Sequence, residues 1–366
     1  MSVYIHNIEQ SLPEHKYKQE ELRDRMKEIV QGGEKERRLL HHIYGRSGIN
    51  TRHSVVDDFK RNGSFSLFFN GQGVSPGTKK RNEVYTEKGR ELFIETARKL
   101  IQNSDFEPDD ISHLITVSCT GFYAPGPDYD IVKALNLSPN IERYNLGFMG
   151  CYAVIPALKM ARQICVANPD ANVMVVSTEL CTLHFQAAPV VDDLISASVF
   201  ADGGAGAIVS SRQPSSDTYY KINSFASAIA EKGEEDMAWT IGDSGFNMVL
   251  SNYVPSILSE GIKPFLNPIL EKHNLSMQEI DLWGIHPGGR AILDSLEKTL
   301  ELPSDALDAS RSVLSNFGNM SSATVLFVLS ELLERNNENR SPKTTMAMAF
   351  GPGLTIESAL LTKMNR

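Results

Sequence analysis

Cysteine is scarce in this chain: Cys119, Cys151, Cys165 and Cys181 are the only four, and no two have the CxxC spacing of a metal site. Scattered thiols of this kind are expected to be reduced and intracellular. Positive charge is also in short supply. The 36 Lys and Arg face 45 Asp and Glu, and a net charge of −9 argues against a general nucleic-acid binder. No uninterrupted apolar run approaches the ~20 residues of a membrane span, and Met1 to Gln10 carries no signal-peptide profile. The expectation is a soluble cytoplasmic protein. What the chain does have is 366 residues, 41% of them hydrophobic, enough for one or two packed domains.

Apolar periodicity alternates between short buried strands and amphipathic helices. In the first half, strands are expected at Val3–Ile8, His113–Ser118, Ile141–Leu146, Val173–Thr178 and Ala205–Ser210. Helices are expected at Glu20–Val30, Lys35–Tyr44, Arg81–Gln102 and about Ile155–Ala167. A polar segment, Ser211–Thr218, divides the chain. The second half repeats the grammar with strands at Tyr220–Ala228, around Trp283, at Thr345–Phe350 and at Thr355–Leu361. Its helices are expected at Tyr253–Lys272, Arg290–Leu300 and Thr324–Asn336. Such alternation in both halves implies a layered α/β architecture.

Three element ends carry candidate chemistry. Asn145-Leu146-Gly147-Phe148-Met149-Gly150-Cys151 places a thiol between a strand and a helix whose start Pro156 sharpens. The positive end of that helix favours thiolate. Leu282-Trp283-Gly284-Ile285-His286-Pro287-Gly288-Gly289 delivers a histidine into a turn, and Phe317-Gly318-Asn319-Met320-Ser321-Ser322-Ala323 presents an asparagine before a helix. Together they supply a nucleophile, a base and an amide donor. Singly each has a structural reading: an inert buried thiol, a satisfied turn histidine, a helix N-cap.

In this order and spacing, GxxGC, HPGG, FGNMSSA and the closing Gly351-Pro352-Gly353-Leu354-Thr355 resemble the chalcone synthase-like type III polyketide synthases over nearly the whole chain. The resemblance implies a thiolase-like fold of two similar βα halves in five layers, αβαβα, divided as 1–214 and 215–366 with the site at their junction. It implies that Cys151 carries the acyl chain of an acyl-CoA starter. His286 and Asn319 would then polarise malonyl-CoA and stabilise the enolate left by its decarboxylation. Neutral donors preorganised in a dry site suit that oxyanion. No metal or organic cofactor is required, and a homodimer is implied.

Further positions follow from the same resemblance. Phe200 matches the first of two gatekeeper phenylalanines between CoA tunnel and cavity, and the second aligns with Met248, a flexible side chain. Ser321, Cys119 and Thr120 match cavity positions; Cys181 to His184 stand where plant chalcone-forming members carry small polar residues, and His184 is either a cavity wall or a buried, satisfied histidine. Arg46 and Arg52 fit the basic positions that hold CoA, a phosphate-bearing substrate. Where plant members place a methionine before Pro125, this chain has Ala124, so the contact across the dimer is expected to be smaller. Val176–Cys181 and Trp239-Thr240-Ile241-Gly242-Asp243-Ser244-Gly245-Phe246 look more like bacterial and fungal members making alkylpyrones or alkylresorcinols from fatty acyl-CoA. A β-ketoacyl-carrier-protein synthase III, which uses the same trio for one condensation, is the alternative enzyme. An acyl-CoA-binding scaffold without turnover is the non-enzymatic one.

Overall fold

The computed structural model describes residues 1–30, 33–60, 67–68, 75–187, 190–251, 253–335 and 341–365. The first half runs β1 (Tyr4–Ser11), β2 (His15–Lys18), α1 (Gln19–Ile29), α2 (Glu34–Arg46), β3 (Thr51–Ser54), α3 (Thr78–Gln102), β4 (His113–Ser118), α4 (Pro127–Leu135), β5 (Glu142–Gly147), α5 (Val154–Ala167), β6 (Asn172–Leu180), α6 (Val191–Val199) and β7 (Asp202–Ser210). The second runs β8 (Thr218–Ile229), β9 (Met237–Gly242), β10 (Gly245–Leu250), α7 (Val254–Lys272), β11 (Leu282–Ile285), α8 (Arg290–Thr299), α9 (Asp308–Phe317), α10 (Thr324–Glu334), β12 (Lys343–Gly351) and β13 (Thr355–Asn365).

Every strand and helix expected from periodicity is present, within a few residues at each end; Asn336 lies outside the described residues. Reading the letters missed α4, α6, α9 and the small strands β2, β3, β9 and β10. In α4 the cause is Pro127, a residue that usually marks a loop but here occupies the first helical turn, where a missing N–H costs nothing.

Strand alternation builds the layers. Val173 and Val175 of β6 face one core while Met174 and Val176 face another; on the far side Ala347 and Ala349 of β12 face the first core and Met346 and Met348 a third. The shared first core holds α5 and α10, sandwiched between the two sets of strands. Helices α3 and α4 cover one outer face, and α7 and α8 cover the other. The expected αβαβα order is therefore what forms. In α10, Val325, Leu326, Phe327, Val328 and Leu329 are all buried, so the helix has no polar face until its last turn, where Glu331 and Glu334 reach solvent. Burying each such side chain contributes about 1.5–3 kcal/mol.

The halves share one pairing scheme. β1–β7 and β7–β6 are antiparallel and β6–β4 is parallel; β8–β13 and β13–β12 are antiparallel and β12–β11 is parallel. The first half adds β5, parallel to β4, as its outer edge. The two sets are not separate sheets, because Tyr4 and Ile5 of β1 pair with Lys221 and Tyr220 of β8 and join them into nine strands. Among the described residues, no helix is long and apolar enough to cross a membrane.

Candidate functional site

The turn after β5 is built by backbone constraint. Phe148 has φ +60° and donates its N–H to the Ser118 carbonyl at 3.0 Å. Gly150 has φ +89°, and a Cβ there would lie 2.4 Å from Cδ of Pro352, so only glycine fits. Ala153 N–H then closes onto the Gly150 carbonyl at 3.1 Å, leaving Cys151 one residue inside the turn and just ahead of α5. Burial pushes its thiol up to about 12, against hydrogen bonds from the Ser321 hydroxyl and the Asn319 amide, which favour thiolate.

His286 follows β11. Its N–H reaches the Met348 carbonyl at 2.8 Å, extending the parallel pairing by one residue, and its carbonyl accepts from Gly288 N–H at 3.0 Å. The imidazole is 1% exposed, and neither ring nitrogen has a hydrogen-bond partner. Burial pulls its pKa down to about 3. Each of the two groups, taken singly, is therefore neutral. Buried polar atoms are rarely left without partners, and an imidazole held this way is reserved for something else.

Asn319 follows α9. Its Oδ1 accepts the Ser321 N–H at 2.8 Å, and its Nδ2 donates to the Gly288 carbonyl at 3.2 Å. Those partners fix which end of the amide is which, and Nδ2 bridges to the turn carrying His286. Asn319 is not the N-cap of α10, which is Ala323 without a side-chain cap bond; its Oδ1 instead braces the turn ahead of that helix.

One cavity is lined by Cys151, His286 and Asn319 together with Phe200, Met248, Ser321, Cys119, Thr120 and Cys181. A second cavity continues from it, sharing Cys181, Phe200, Trp239 and Met248 as walls and adding Leu22, Met26, Phe59 and Phe185. A surface groove lined by Arg46 meets the first cavity at Leu250, Gly288 and Ile292. Phe200 and Met248 therefore stand between the two cavities, whereas the groove enters elsewhere.

Two expected residues play different parts. Arg52 is 4% exposed; it donates to Gln19 Oε1 at 3.0 Å, to the Ala197 carbonyl at 2.9 Å and to the Phe200 carbonyl. The expectation that it holds CoA is corrected: its guanidinium is spent on backbone that positions Phe200. His184 lines the second cavity only, with both nitrogens engaged. Phe246 N–H donates to Nδ1 at 3.0 Å, so the proton sits on Nε2, which donates to the Thr120 carbonyl at 2.7 Å. Burial draws its pKa down to about 3, and it stacks on Phe246 with centroids 4.0 Å apart. It is a neutral wall.

Three residues were not named as site residues from the sequence, although Glu179 and Trp239 lie within stretches that carried the resemblance. Glu179, fully buried at the end of β6, accepts from Cys119 N–H at 3.0 Å, Thr120 Oγ1 at 2.8 Å, Ser118 Oγ at 3.2 Å and Ser322 Oγ. Burial raises its carboxyl above the usual range. A lone acid in the apolar run Val173–Leu180 was the available signal. Trp239 donates its indole N–H to the Cys119 carbonyl at 2.7 Å and lines both cavities. Arg81 holds the Leu183 and Phe185 carbonyls from below, fixing the turn that carries Cys181 and His184. Nothing in its surroundings in sequence marked it.

The chain matches the chalcone and stilbene synthases, N-terminal domain, over residues 2–213 and the C-terminal domain over residues 221–365. It is 29% identical to the alpha-pyrone synthesis polyketide synthase-like Pks18 of Mycobacterium tuberculosis, over 99% of this chain and 91% of that one. It is 30% identical to the 1,3,6,8-tetrahydroxynaphthalene synthase of Streptomyces griseus, over 96% of this chain and 90% of that one. Among solved structures, PKS-I from the brown alga Ectocarpus siliculosus superposes with TM-score 0.93 at 30% identity, over 100% of this chain and 99% of that one. The C-terminal type III polyketide synthase domain of Steely1 from Dictyostelium superposes with TM-score 0.89 at 26% identity, over 100% and 99%.

Proposed function

The chain belongs to the chalcone and stilbene synthase family of type III polyketide synthases, and from that membership we propose that it loads an acyl-CoA starter on Cys151 and extends it with malonyl-CoA. The observation that carries the assignment is His286: a buried imidazole with both nitrogens unpartnered, in the same cavity as the thiol and the Asn319 amide. Proton transfer from the thiol to the imidazole creates thiolate and imidazolium together, each offsetting the burial cost of the other. The thiolate attacks the starter thioester, and CoA leaves with the proton. Malonyl-CoA then loses CO2. The electron pair left behind becomes an enolate, its oxygen held by an imidazole N–H and the Asn319 amide. The enolate carbon attacks the acyl-Cys151 thioester, and the thiolate is released.

An aliphatic starter is supported by the apolar walls Leu22, Met26, Phe59 and Phe185 of the second cavity, which stand beside polar ones such as Thr182, Gln186 and Asp193. Cyclisation to an alkylpyrone or resorcinol-type product is the corresponding outcome, in keeping with the alpha-pyrone relative. Matches to the family over both halves favour repeated extension over the single condensation of a synthase III. We place the boundary of the halves at 214/215, which the repeated pairing scheme supports.

A homodimer is the second part of the reading. β5 is an edge strand with its outer side open, and Tyr144, Phe148, Phe122 and Tyr129 are exposed on and around that edge at 36%, 38%, 56% and 41%. Exposed apolar surface beside an open edge invites a second copy.

The test is direct. Cys151→Ala is expected to abolish both the acyl adduct and product while the fold persists, read by intact mass. Asn319→Ala is expected to keep acyl loading yet decarboxylate malonyl-CoA roughly 100- to 1,000-fold more slowly. Polyketide formation undiminished in Cys151→Ala would remove the assignment.

A further inference from the structure

Most polar walls of the second cavity are already engaged with protein. The Tyr17 hydroxyl donates to the Val56 carbonyl at 2.8 Å, and Gln186 Nε2 donates to the Ser244 carbonyl at 2.8 Å. Ser54 and Thr182 share a hydrogen bond of 2.7 Å, and Thr182 donates onward to Asp202 at 2.6 Å. Asp193 and Ser196 line the same cavity and are not engaged. Ser196 Oγ is buried without a hydrogen-bond partner. The half-buried Asp193 carboxyl is raised above its usual range by burial and by Asp192, and among the described residues no cation or donor offsets them. Residues 193, 196, 197 and 200 all line the cavity, and their spacing puts them on one face of α6. Positions three apart on a helix hold their Cβ atoms about 5–6 Å from each other, so one small group can touch both side chains. The face is rigidly held at its far end. Arg52 and Tyr44 donate to the Ala197 carbonyl at 2.9 and 3.1 Å, and Gln19 donates to the Ser198 carbonyl at 2.7 Å.

We propose that Asp193 and Ser196 recognise the far end of the starter chain, and that this end carries a hydroxyl: the starter is a terminally hydroxylated fatty acyl-CoA. The inference rests on the polyketide synthase reading and names its substrate. Neither residue lines the cavity that holds Cys151, so a chain loaded on the thiol meets them only after passing Phe200 and Met248. A hydroxyl donates to the Asp193 carboxylate and accepts from Ser196 Oγ, which satisfies both at once. A terminal methyl covers both and pairs with neither, and unpaired buried polar groups are costly. A terminal carboxylate is repelled by Asp193. A terminal ammonium would have to shed its water among Leu22, Met26, Phe59 and Phe185, at a far higher cost than a hydroxyl.

The test is a set of saturated acyl-CoAs from octanoyl to hexadecanoyl, each beside its ω-hydroxy, ω-amino and ω-carboxy counterparts. Loading of Cys151 is followed by intact mass on the whole protein, and kcat/KM is compared within each length. At the best length the ω-hydroxy chain is expected to lead the plain one by about tenfold, the worth of one hydrogen bond to a charged group, with the ω-carboxy chain last. Asp193→Leu and Ser196→Ala are each expected to shrink that lead, and the double variant to bring hydroxylated and plain chains within about twofold. Its loading of the plain chain at the wild-type rate or faster shows that it folds. Equal loading of hydroxylated and plain chains at every length in wild type overturns the inference and leaves the proposed function standing. A lead for the ω-amino chain, or a hydroxyl preference that survives in the double variant, overturns it as well. Loading by no acyl-CoA at all would count against the proposed function itself, and the inference would fall with it.

Discussion

Removing the His286 imidazole separates the two influences on Cys151. Burial is the main cause that pushes the thiol up to about 12, so any thiolate present near neutral pH must be sustained by a partner that gains the proton. In His286→Gln, alkylation by iodoacetamide is therefore expected to climb through pH 10 without a plateau. In wild type the plateau is expected at lower pH, because imidazolium favours thiolate. Superimposable curves would show that His286 does not act on the thiol. At this scale the trio was legible because each member closes a strand or a helix in a recognisable turn. Arg52 was misread because what holds it, the Ala197 and Phe200 carbonyls, belongs to a distant stretch of chain with no pattern in its letters.

The turn between β5 and α5 is the element on which the nucleophile depends. Gly150→Ala meets both the left-handed backbone at φ +89° and the Pro352 ring. A non-glycine residue there costs about 1–2 kcal/mol before the overlap is counted. The variant is expected to unfold at lower temperature and to acylate Cys151 at least about tenfold more slowly, since a misplacement near 1 Å is felt strongly in catalysis. Acylation at the wild-type rate, followed by intact mass, would mean the turn does not set the position of the sulfur. Long periodic helices and apolar strands were legible from sequence. The β9–β10 hairpin was not: Trp239–Gly242 pairs with Gly245–Met248, and while alternate side chains Met237, Trp239, Met248 and Leu250 face the cavity, the apolar Ile241 and Val249 are exposed, so the letters do not alternate in polarity.

At the scale of the whole molecule, the five layers followed from the family resemblance and from alternation in the strands. The β1–β8 ladder that fuses the two sets of strands did not, because pairing partners separated by two hundred residues leave no local trace. The dimer belongs here as well. Light scattering at micromolar concentration is expected to give about twice the 40.5 kDa of one chain. Tyr144→Glu combined with Phe148→Ser is expected to shift it towards monomer. A monomeric wild type would remove the proposed interface.

The shared central layer has one more consequence. Because α5 comes from the first half and α10 from the second, each half carries a helix that only the other half can cover. Cutting the chain within the exposed stretch Ser215–Asp217 breaks no strand, yet it leaves the thiol on one polypeptide and His286 and Asn319 on the other. The two pieces are expected to be inactive and aggregation-prone when made alone, and to reassemble into a working enzyme when made together. Activity would then report the meeting of two chains, and pieces that co-purify without acylating Cys151 would show that the seam needs a covalent tie.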